Sequence, residues 1–396
     1  MIKRPEYLEK LLEFKDKQLI KIVTGVRRCG KSTLFELYQA ELLKKGILRK
    51  QIQGINLEDP EYEELLDWRK LYKYIDSRLL AGKQNYIFID EIQNVADFEK
   101  AANGLFIKKN VDLYLTGSNS KIQSGEWATL LSGRYVEIHM LPLSFKEYHS
   151  AAFTGNIEDT FRKYLENSSF PYSLQLDGNK KQIRDYLGGI YNTIVLKDVV
   201  ENKKIRDIGR LESVIKFVAD NISNLTSIKK ISDTMTSDGI KMLPLTIENY
   251  LDAFRSSYIL YKASRYDIKG KKYLQTLDKY YLVDIGLRYY LLGDKKADKG
   301  HILENIVYLE LIRRGYKIYI GKIVNKEIDF VTEGIEGIEY YQVADTVAGR
   351  STLERELAPL NDIKDHNPKF LLTKDFIAKT SHNGIRQLNV FDWLLG

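Results

Sequence analysis

Eight residues near the start of the chain have the types and spacing of a loop that binds phosphate groups. A glycine at position 25 is followed, four residues later, by Gly-Lys-Ser at 30–32, which fits the pattern G-x-x-x-x-G-K-[ST]. In this pattern backbone N–H groups surround the β- and γ-phosphates, the lysine adds positive charge and the hydroxyl can bind Mg²⁺. The residues predicted to bind a nucleotide are Gly25, Val26, Arg27, Arg28, Cys29, Gly30, Lys31, Ser32 and Thr33.

Two acidic residues follow a second apolar run. Residues 86–89 have the pattern of a buried strand, and Asp90 and Glu91 come directly after them. An acid at the tip of a parallel strand beside a phosphate loop holds Mg²⁺, and the next acid can act as general base toward the attacking water. We therefore expect Ser32 and Asp90 to hold the metal, and Lys31 and Glu91 to be catalytic. The alternative is a core strand that ends in two solvated acids.

The surrounding elements must bring these groups together. Residues 19–24 are an apolar strand pattern before the loop, and an amphipathic helix pattern follows the loop. A third strand pattern at 111–120 contains Thr116 and Asn119 near its end, where they could sense a γ-phosphate or orient water. A short helix at about 121–132 and a strand at 136–140 come next.

Several segments together resemble the prokaryotic AAA-family ATPases of the archaeal P-loop type, whose C-terminal half is a domain of unknown function. The segments are TGVRRCGKSTL, IFIDEIQ, LTGSNS, LSGRY and LPLSFKEY. The resemblance implies ATP and Mg²⁺ as ligands, ATP hydrolysis, a parallel-sheet ATPase core at 1–144 and a helical lid at 145–205. It also implies an arginine finger at Arg134, acting in cis or in trans, although a structural pair with a nearby acid remains an alternative.

The middle of the chain, residues 206–295, has the pattern of a winged helix-turn-helix: three helices followed by two strands and a basic turn between them. The third helix carries Glu248 and Asp252, which would repel a phosphate backbone. We therefore expect nucleic acid to contact the wing, although such domains also dock proteins. The candidate contacts are Arg265, Lys269, Lys271 and Lys272.

Residues 296–396 show an α-β-β-β-α-β order that resembles the PD-(D/E)XK nuclease fold. Carried over residue by residue, Glu304 and Asp329 match the metal-binding acids of that family. Gln342 and Ala344 stand where a second strand carboxylate and a lysine are expected. A neutral ligand holds a divalent ion weakly, and alanine supplies no proton chemistry. We expect a degenerate nuclease site of Glu304, Asp329 and Gln342, unless a lysine from position 326 or 369 replaces the missing one.

Composition limits the class of protein. A chain of 396 residues should hold two or three domains, and its longest apolar runs are shorter than the roughly 18 residues of a membrane span. The first ten residues are too charged for a signal peptide, and Cys29 alone makes no disulfide framework. The five histidines lack the spacing of zinc ligands. These features suit a cytoplasmic protein.

The formal charge of +7 is uneven along the chain. It is about +3 over residues 1–200, +6 over 201–300 and −2 over the remainder. A basic middle suits contact with nucleic acid, although lysine is abundant throughout, as an AT-rich genome would make it.

We thus expect an α/β fold, a P-loop sheet with a lid, a winged helix and a nuclease-like domain. The expected function is coupling of Mg-ATP turnover to nucleic-acid engagement, with DNA as the expected partner and homo-oligomers as an option. The alternatives are a nucleotide-gated switch that regulates a protein partner, and an ATP-controlled metal-dependent nuclease.

Overall fold

The computed structural model describes residues 2–117, 129–152, 155–176, 178–201, 205, 207–293, 299–376 and 380–396. These residues form two compact units. Unit 1 comprises Met1–Pro142 with Ser256–Tyr258, and unit 2 comprises Leu143–Arg255 with Ile259–Gly396.

In the described part of unit 1, five parallel strands form one sheet. The strands are β1 (Ile20–Thr24), β2 (Ile52–Asn56), β3 (Asn85–Asp90), β4 (Val111–Gly117) and β5 (Tyr135–His139). The helices are α1 (Pro5–Glu13), α2 (Lys31–Lys44), α3 (Trp68–Asp76) and α4 (Phe98–Phe106). The order across the sheet is β2-β3-β4-β1-β5, which confirms the expected parallel α/β sheet.

The central strands are apolar because helices cover both faces of a parallel sheet. Every residue of β1, β3 and β4 is buried. Their bounds agree with the sequence patterns to within one or two residues, but residues 118–120 and most of the helix expected at 121–132 lie outside the described residues. Since the strands are parallel, the carboxyl ends of β1, β3 and β4 meet at one edge of the sheet, where ligands of such folds bind.

Unit 2 begins with helices and continues into a mixed sheet. The helices are α5 (Phe145–Ala152), α6 (Ile157–Asn167), α7 (Lys180–Thr193), α8 (Ile208–Asp220), α9 (Ile228–Ser237), α10 (Pro244–Ser256), α11 (Ile285–Leu292), α12 (Lys299–Arg313), α13 (Arg350–Asn361) and α14 (Val390–Leu395). The strands are β6 (Leu260–Asp267), β7 (Lys272–Leu282), β8 (Lys317–Ile323), β9 (Lys326–Gly334), β10 (Gly337–Val343), β11 (Lys369–Thr373), β12 (Thr380–His382) and β13 (Ile385–Asn389).

The helices expected to form a lid are joined to the following segment by a buried carboxylate. Asp284 accepts hydrogen bonds from both the backbone N–H and the hydroxyl of Ser169, each at 2.7 Å. Asp284 also caps α11 by accepting the N–H of Leu287. A compact unit therefore includes the described parts of both 145–205 and 206–295, and the four-part division of the chain stays a prediction.

The hairpin β6–β7 follows α8, α9 and α10, which is the element order expected for a winged helix. However, β6 pairs in parallel with β8 through Arg265 and Ile320, so the hairpin lies in the same sheet as the C-terminal strands. The described strands of this sheet have the order β12-β13-β11-β10-β9-β8-β6-β7. The sheet therefore crosses the boundary expected at residue 295.

The C-terminal part has the expected α-β-β-β-α-β order from α12 through β11. Helix α12 is buried on nearly all sides, and every residue from Ile302 to Leu311 is buried. It packs on β7, β8, β9 and β10. In the part of the chain that the structure describes, no helix is long and apolar enough to cross a membrane.

Candidate functional site

The phosphate loop, residues 25–32, connects β1 to α2 at the carboxyl edge of the sheet. Gly25 has φ of +145°, and a Cβ atom at this position would lie 2.1 Å from the carbonyl oxygen of Met140. A side chain is therefore excluded here for two reasons, the backbone conformation and the close approach of another chain segment. The glycine lets the loop turn tightly at the end of β1.

Lys31 directs its ammonium group into the loop. Its Nζ donates hydrogen bonds to the carbonyl oxygens of Gly25 at 3.1 Å and Val26 at 3.4 Å. It lies 3.7 Å from Oε1 of Glu91, and both side chains are buried. The positive charge and the candidate base thus belong to one site, as the sequence predicted.

A single hydroxyl joins the two acids at the end of β3. The Oγ1 of Thr116, a fully buried residue of β4, donates to the Asp90 carboxylate and accepts the backbone N–H of Glu91 at 2.9 Å. Because that one hydroxyl hydrogen is given to Asp90, Thr116 acts in this structure as a support for the acids. The expected contact of Thr116 with a γ-phosphate stays a prediction.

Ser32 and Asp90 offer suitable ligands for Mg²⁺. Ser32 is the second residue of α2, and its hydroxyl is close enough to Asp90 to influence the pKa of that carboxyl. Burial raises the pKa of Asp90 above its ordinary value, while hydrogen bonds from Ser32 and Thr116 act in the opposite direction. Hydroxyl and carboxylate oxygens are hard donors of the kind that Mg²⁺ prefers, so this pair fits the ion.

Glu91 is held in an unusual backbone conformation, with φ of +56°. Its carboxylate lies between Lys31 on one side and the side-chain amide of Gln93 on the other, which donates a short hydrogen bond to it. Positive φ at a non-glycine residue is strained and often marks a functional position. Sequence reasoning missed Gln93, although the quoted segment IFIDEIQ ends with it.

The remaining loop residues have separate surroundings. Arg27 pairs with Glu58 at 3.1 Å, and Arg28 is exposed with φ of +65°. Cys29 is fully buried, and burial raises the pKa of its thiol, so the reactive thiolate form is disfavoured. Asn119 lies outside the described residues.

Arg134 lies at the amino-terminal ends of the parallel strands, whereas the phosphate loop lies at their carboxyl ends. It directly precedes β5, which runs parallel to β1 with Tyr135 beside Ile20, so Arg134 is near the start of β1. Its guanidinium group lies 5.5 Å from the ring centre of Phe106, and the residue is exposed. The phosphate loop begins a full strand away, about 16 Å at the usual rise per residue. In this structure Arg134 therefore does not lie beside the phosphate loop of its own chain, and its role as an arginine finger stays a prediction.

Arg4 and Tyr7, in the charged N-terminal segment, are both buried. Arg4 donates to backbone carbonyls, and the hydroxyl of Tyr7 accepts the N–H of Leu141 at 3.1 Å. Both side chains therefore bind the backbone of their own domain.

Comparison with known proteins identifies an AAA-type domain in the first part of the chain. Residues 17–149 match the family described as "AAA domain", and residues 158–298 match a domain of unknown function, DUF8612. A protein of Haemophilus influenzae is 40% identical over the full chain and 99% of its own length. A protein of Methanocaldococcus jannaschii is 31% identical over 82% of the chain and 74% of its own length.

The chain belongs to this family of AAA-domain proteins. A Walker-type ATPase of Pyrococcus abyssi shares the fold, with a TM-score of 0.50 and 15% identity over 74% of this chain and 96% of its own. The part of the chain matched by the AAA model, residues 17–149, is an AAA-type P-loop ATPase domain, and it contains the phosphate loop.

Unit 2 of this AAA protein contains a second cluster of charged groups, which we call the Lys279 cluster: Lys279, Glu304, Glu327 and Asp329. The buried ammonium group of Lys279, from β7, lies 2.9 Å from Glu304, 2.7 Å from Glu327 and 3.7 Å from Asp329. Tyr281 also donates to Glu304, at 2.7 Å. The structure thus brings Glu304 and Asp329 together, as expected, but around a lysine from a distant segment.

Electrostatics in the Lys279 cluster favour a charged lysine. Burial alone would lower the pKa of Lys279, but the carboxylates of Glu304, Asp329 and Glu327 raise it above its ordinary value. Burial, together with the negative charge of Glu304, raises the pKa of Asp329 to about 8. Asp329 accepts the N–H of Val343 at 2.8 Å.

The two candidates for a relocated lysine are elsewhere. Lys326 pairs with Asp362 at 2.8 Å, and Lys369 donates to the carbonyl of Asp365 at 2.8 Å. Neither prediction is supported, and Lys279 occupies the acidic site in their place. Sequence reasoning missed it because 25 residues or more separate Lys279 from its partners.

Gln342 contributes to the same region through hydrogen bonds. Its amide donates to Glu356 at 2.9 Å, and its oxygen accepts the N–H of Asp329 at 3.4 Å. A cavity of about 800 Å³ borders Gln342, Ala344 and the Lys279 cluster. Among the described residues, no group of three or more His, Cys, Asp or Glu side chains has the arrangement of a metal site.

The candidate nucleic-acid contacts divide into two kinds. Lys269, Lys271 and Lys272 are exposed at the turn between β6 and β7. Arg265 is only half-exposed and lies within β6, beside β8. Arg265 is therefore less accessible than the three lysines, and all four contacts stay predictions.

Proposed function

We propose that this protein binds and hydrolyses ATP with Mg²⁺ and couples turnover to engagement of DNA. The observation that carries the ATPase proposal is the convergence of Lys31, Asp90, Glu91 and Thr116 at the carboxyl edge of the sheet in an AAA domain. DNA engagement rests on weaker support, from the charge of the middle segment.

Each group in the nucleotide site has a role that its surroundings allow. Lys31 donates to phosphate oxygens from inside the loop, and backbone N–H groups of residues 25–33 bind the same phosphates. Ser32 and Asp90 would hold Mg²⁺, which when bound supplies positive charge that stabilises negative charge on the phosphates. Glu91 orients the attacking water and accepts its proton at a carboxylate oxygen.

Three exposed lysines support contact with nucleic acid. Lys269 and Lys271 lie in the turn between β6 and β7, and Lys272 begins β7, in the segment that carries a formal charge of about +6. Such a turn suits non-specific contact with phosphates, whose strength depends on salt. The acids Glu248 and Asp252 are exposed on α10, so base readout by this helix is not part of the proposal.

A protein partner is the second candidate, and a specific observation favours it. Leu243 and Leu245 flank the first residue of α10 with 68% and 67% of their side chains exposed. Apolar side chains at the start of a helix that is otherwise amphipathic suit contact with another protein. In that case nucleotide occupancy would act as a switch for binding.

Nuclease activity is not proposed. The ammonium group of Lys279 lies among the acids that would otherwise hold a divalent ion, and Gln342 hydrogen-bonds to Glu356. A buried cation in that position competes directly with a metal ion.

The test is steady-state ATP hydrolysis by the wild type and by Glu91→Gln, each with and without double-stranded and single-stranded DNA. We expect hydrolysis that DNA stimulates, a loss of about 10²–10⁴-fold in Glu91→Gln, and retained ATP binding in that variant. Replacing Lys269, Lys271 and Lys272 by glutamine should abolish the stimulation but leave basal hydrolysis intact. Hydrolysis indifferent to DNA would favour the protein-partner switch, and absence of hydrolysis would overturn the proposal.

A further inference from the structure

A buried arginine outside the nucleotide-binding motif contacts the backbone of the phosphate loop. Arg4 is only 3% exposed, and its guanidinium group donates to the carbonyl oxygen of Cys29 at 3.1 Å. It also donates to the carbonyls of Leu141 at 2.8 Å and Pro142 at 3.4 Å. The flat guanidinium thus joins the loop to the segment that follows β5.

The position of Arg4 is fixed from two sides. It directly precedes α1, where its own carbonyl accepts the N–H of Leu8 at 3.0 Å. Helix α1 packs on α2, the helix that begins with Lys31. The guanidinium group of Arg4 also lies 4.8 Å from the ring centre of Tyr7, whose hydroxyl accepts the N–H of Leu141. A side chain held in this way has little conformational freedom. Its hydrogen bonds therefore fix the orientation of the carbonyl groups that accept them.

The contact with Cys29 determines how the next peptide group is oriented. The peptide between Cys29 and Gly30 is trans and planar, so its carbonyl and its N–H point in opposite directions. Arg4 holds the carbonyl toward the protein interior. The N–H of Gly30 is therefore directed away from Arg4, to the opposite side of the loop, and Gly30 is the residue at which α2 is capped.

We propose that Arg4 is a positioning residue for the nucleotide: by holding the Cys29 carbonyl, it orients the Gly30 N–H toward the bound phosphates. This inference rests on the proposed nucleotide site. Arg4 itself contacts no phosphate. Its positive charge strengthens the hydrogen bond to the carbonyl, and its planar fork reaches several acceptors at once, which a lysine does less well.

The experiment measures equilibrium binding of Mg-ATP and Mg-ADP by calorimetry, with steady-state hydrolysis in parallel. The variants are Arg4→Gln, which loses the charge and the fork, and Arg4→Lys, which keeps the charge. Lys3→Gln is the matched control, because Lys3 is the exposed neighbour. Circular dichroism and thermal unfolding confirm that each variant is folded.

We expect Arg4→Gln to bind ATP about 10- to 100-fold more weakly, since a charge-assisted hydrogen bond is lost. KM should rise by a similar factor with kcat changed by less than about threefold, the pattern of lost uniform binding. Arg4→Lys should lie between Arg4→Gln and the wild type, and Lys3→Gln should match the wild type.

Unchanged affinity in folded Arg4→Gln would overturn the inference, as would a fall in kcat with KM unaltered. If Arg4→Gln does not fold, Arg4→Lys decides, and wild-type affinity in that variant overturns the inference. The binding measurement does not depend on turnover. A wild type that binds ATP but does not hydrolyse it would thus contradict the proposed function alone.

Discussion

At the scale of single residues, the hydroxyl of Thr116 has a larger structural role than its place in the chain suggests. It lies on β4, yet it fixes Asp90 and Glu91 at the end of β3. Glu91 needs this support because its backbone is in a conformation that a residue with a side chain seldom adopts. The candidate base is therefore held by a neighbouring strand rather than by its own.

Thr116→Val keeps the shape of the side chain and removes this hydroxyl. The N–H of Glu91 then has no acceptor in a buried site, and Asp90 loses a donor. An unsatisfied buried group costs about 1–3 kcal/mol, so we expect the free energy of unfolding to fall by that amount and kcat to fall about 10- to 100-fold. Urea unfolding and steady-state ATP hydrolysis measure the two effects.

Thr116→Ser is the matched control, because it keeps the hydroxyl and loses only a methyl group. It should retain most of kcat. Full activity in Thr116→Val would mean that the hydrogen bonds of this hydroxyl do not position the base.

At the scale of elements, short contiguous motifs could be predicted from the sequence, whereas contacts between residues far apart in the chain could not. The phosphate loop and Asp90–Glu91 were predictable because each is a short motif at the end of an apolar strand. Lys279 was not, because its place depends on the hairpin β6–β7 joining a sheet whose other strands follow much later. The burial of Arg4 was not predictable either, since a charged residue in a charged segment gives no sign of burial.

The hairpin β6–β7 brings Lys279 beside Asp329, and the raised pKa of Asp329 should make the stability of the protein depend on pH. Asp329 lies beside Lys279, Glu304 and Glu327 and accepts the N–H of Val343. Its pKa of about 8 in the folded protein exceeds the ordinary value of 3.8. Between those two pH values the folded protein binds a proton that the unfolded chain has released, so this group makes stability fall as pH rises, with no further change above about pH 8.

We therefore expect the free energy of unfolding of the wild type to decrease between pH 5 and pH 8.5 more than that of Asp329→Asn. The asparagine cannot titrate but keeps an oxygen for Val343. The difference between the two curves should be on the order of 2–4 kcal/mol. Urea unfolding across this range measures it, and parallel curves would show that Asp329 is ionised throughout.

At the scale of the whole molecule, the position of Arg134 determines which nucleotide it could contact. Arg134 lies near the start of β1 and β5, whereas the phosphate loop follows the end of β1. An exposed arginine on that edge can contact a γ-phosphate only if the nucleotide belongs to another molecule. If Arg134 is an arginine finger, it therefore acts in trans, and hydrolysis requires an oligomer.

Mixing two inactive variants tests this requirement. Lys31→Ala disables the nucleotide site but keeps Arg134, and Arg134→Ala keeps the site but lacks the finger. Each alone should be at least about tenfold slower than the wild type, because a finger contributes strongly to charge stabilisation. Their mixture should exceed the sum of the two, since intact sites would then face intact fingers.

A mixture of Lys31→Ala with Glu91→Gln serves as the control. Both partners have defective sites and intact fingers, so no pairing of these subunits restores hydrolysis. Sedimentation of the wild type with a non-hydrolysable ATP analogue should show a larger species under the same conditions. Wild-type kcat in Arg134→Ala, or a mixture no faster than its parts, would instead assign Arg134 to its contact with the ring of Phe106 at the edge of the sheet.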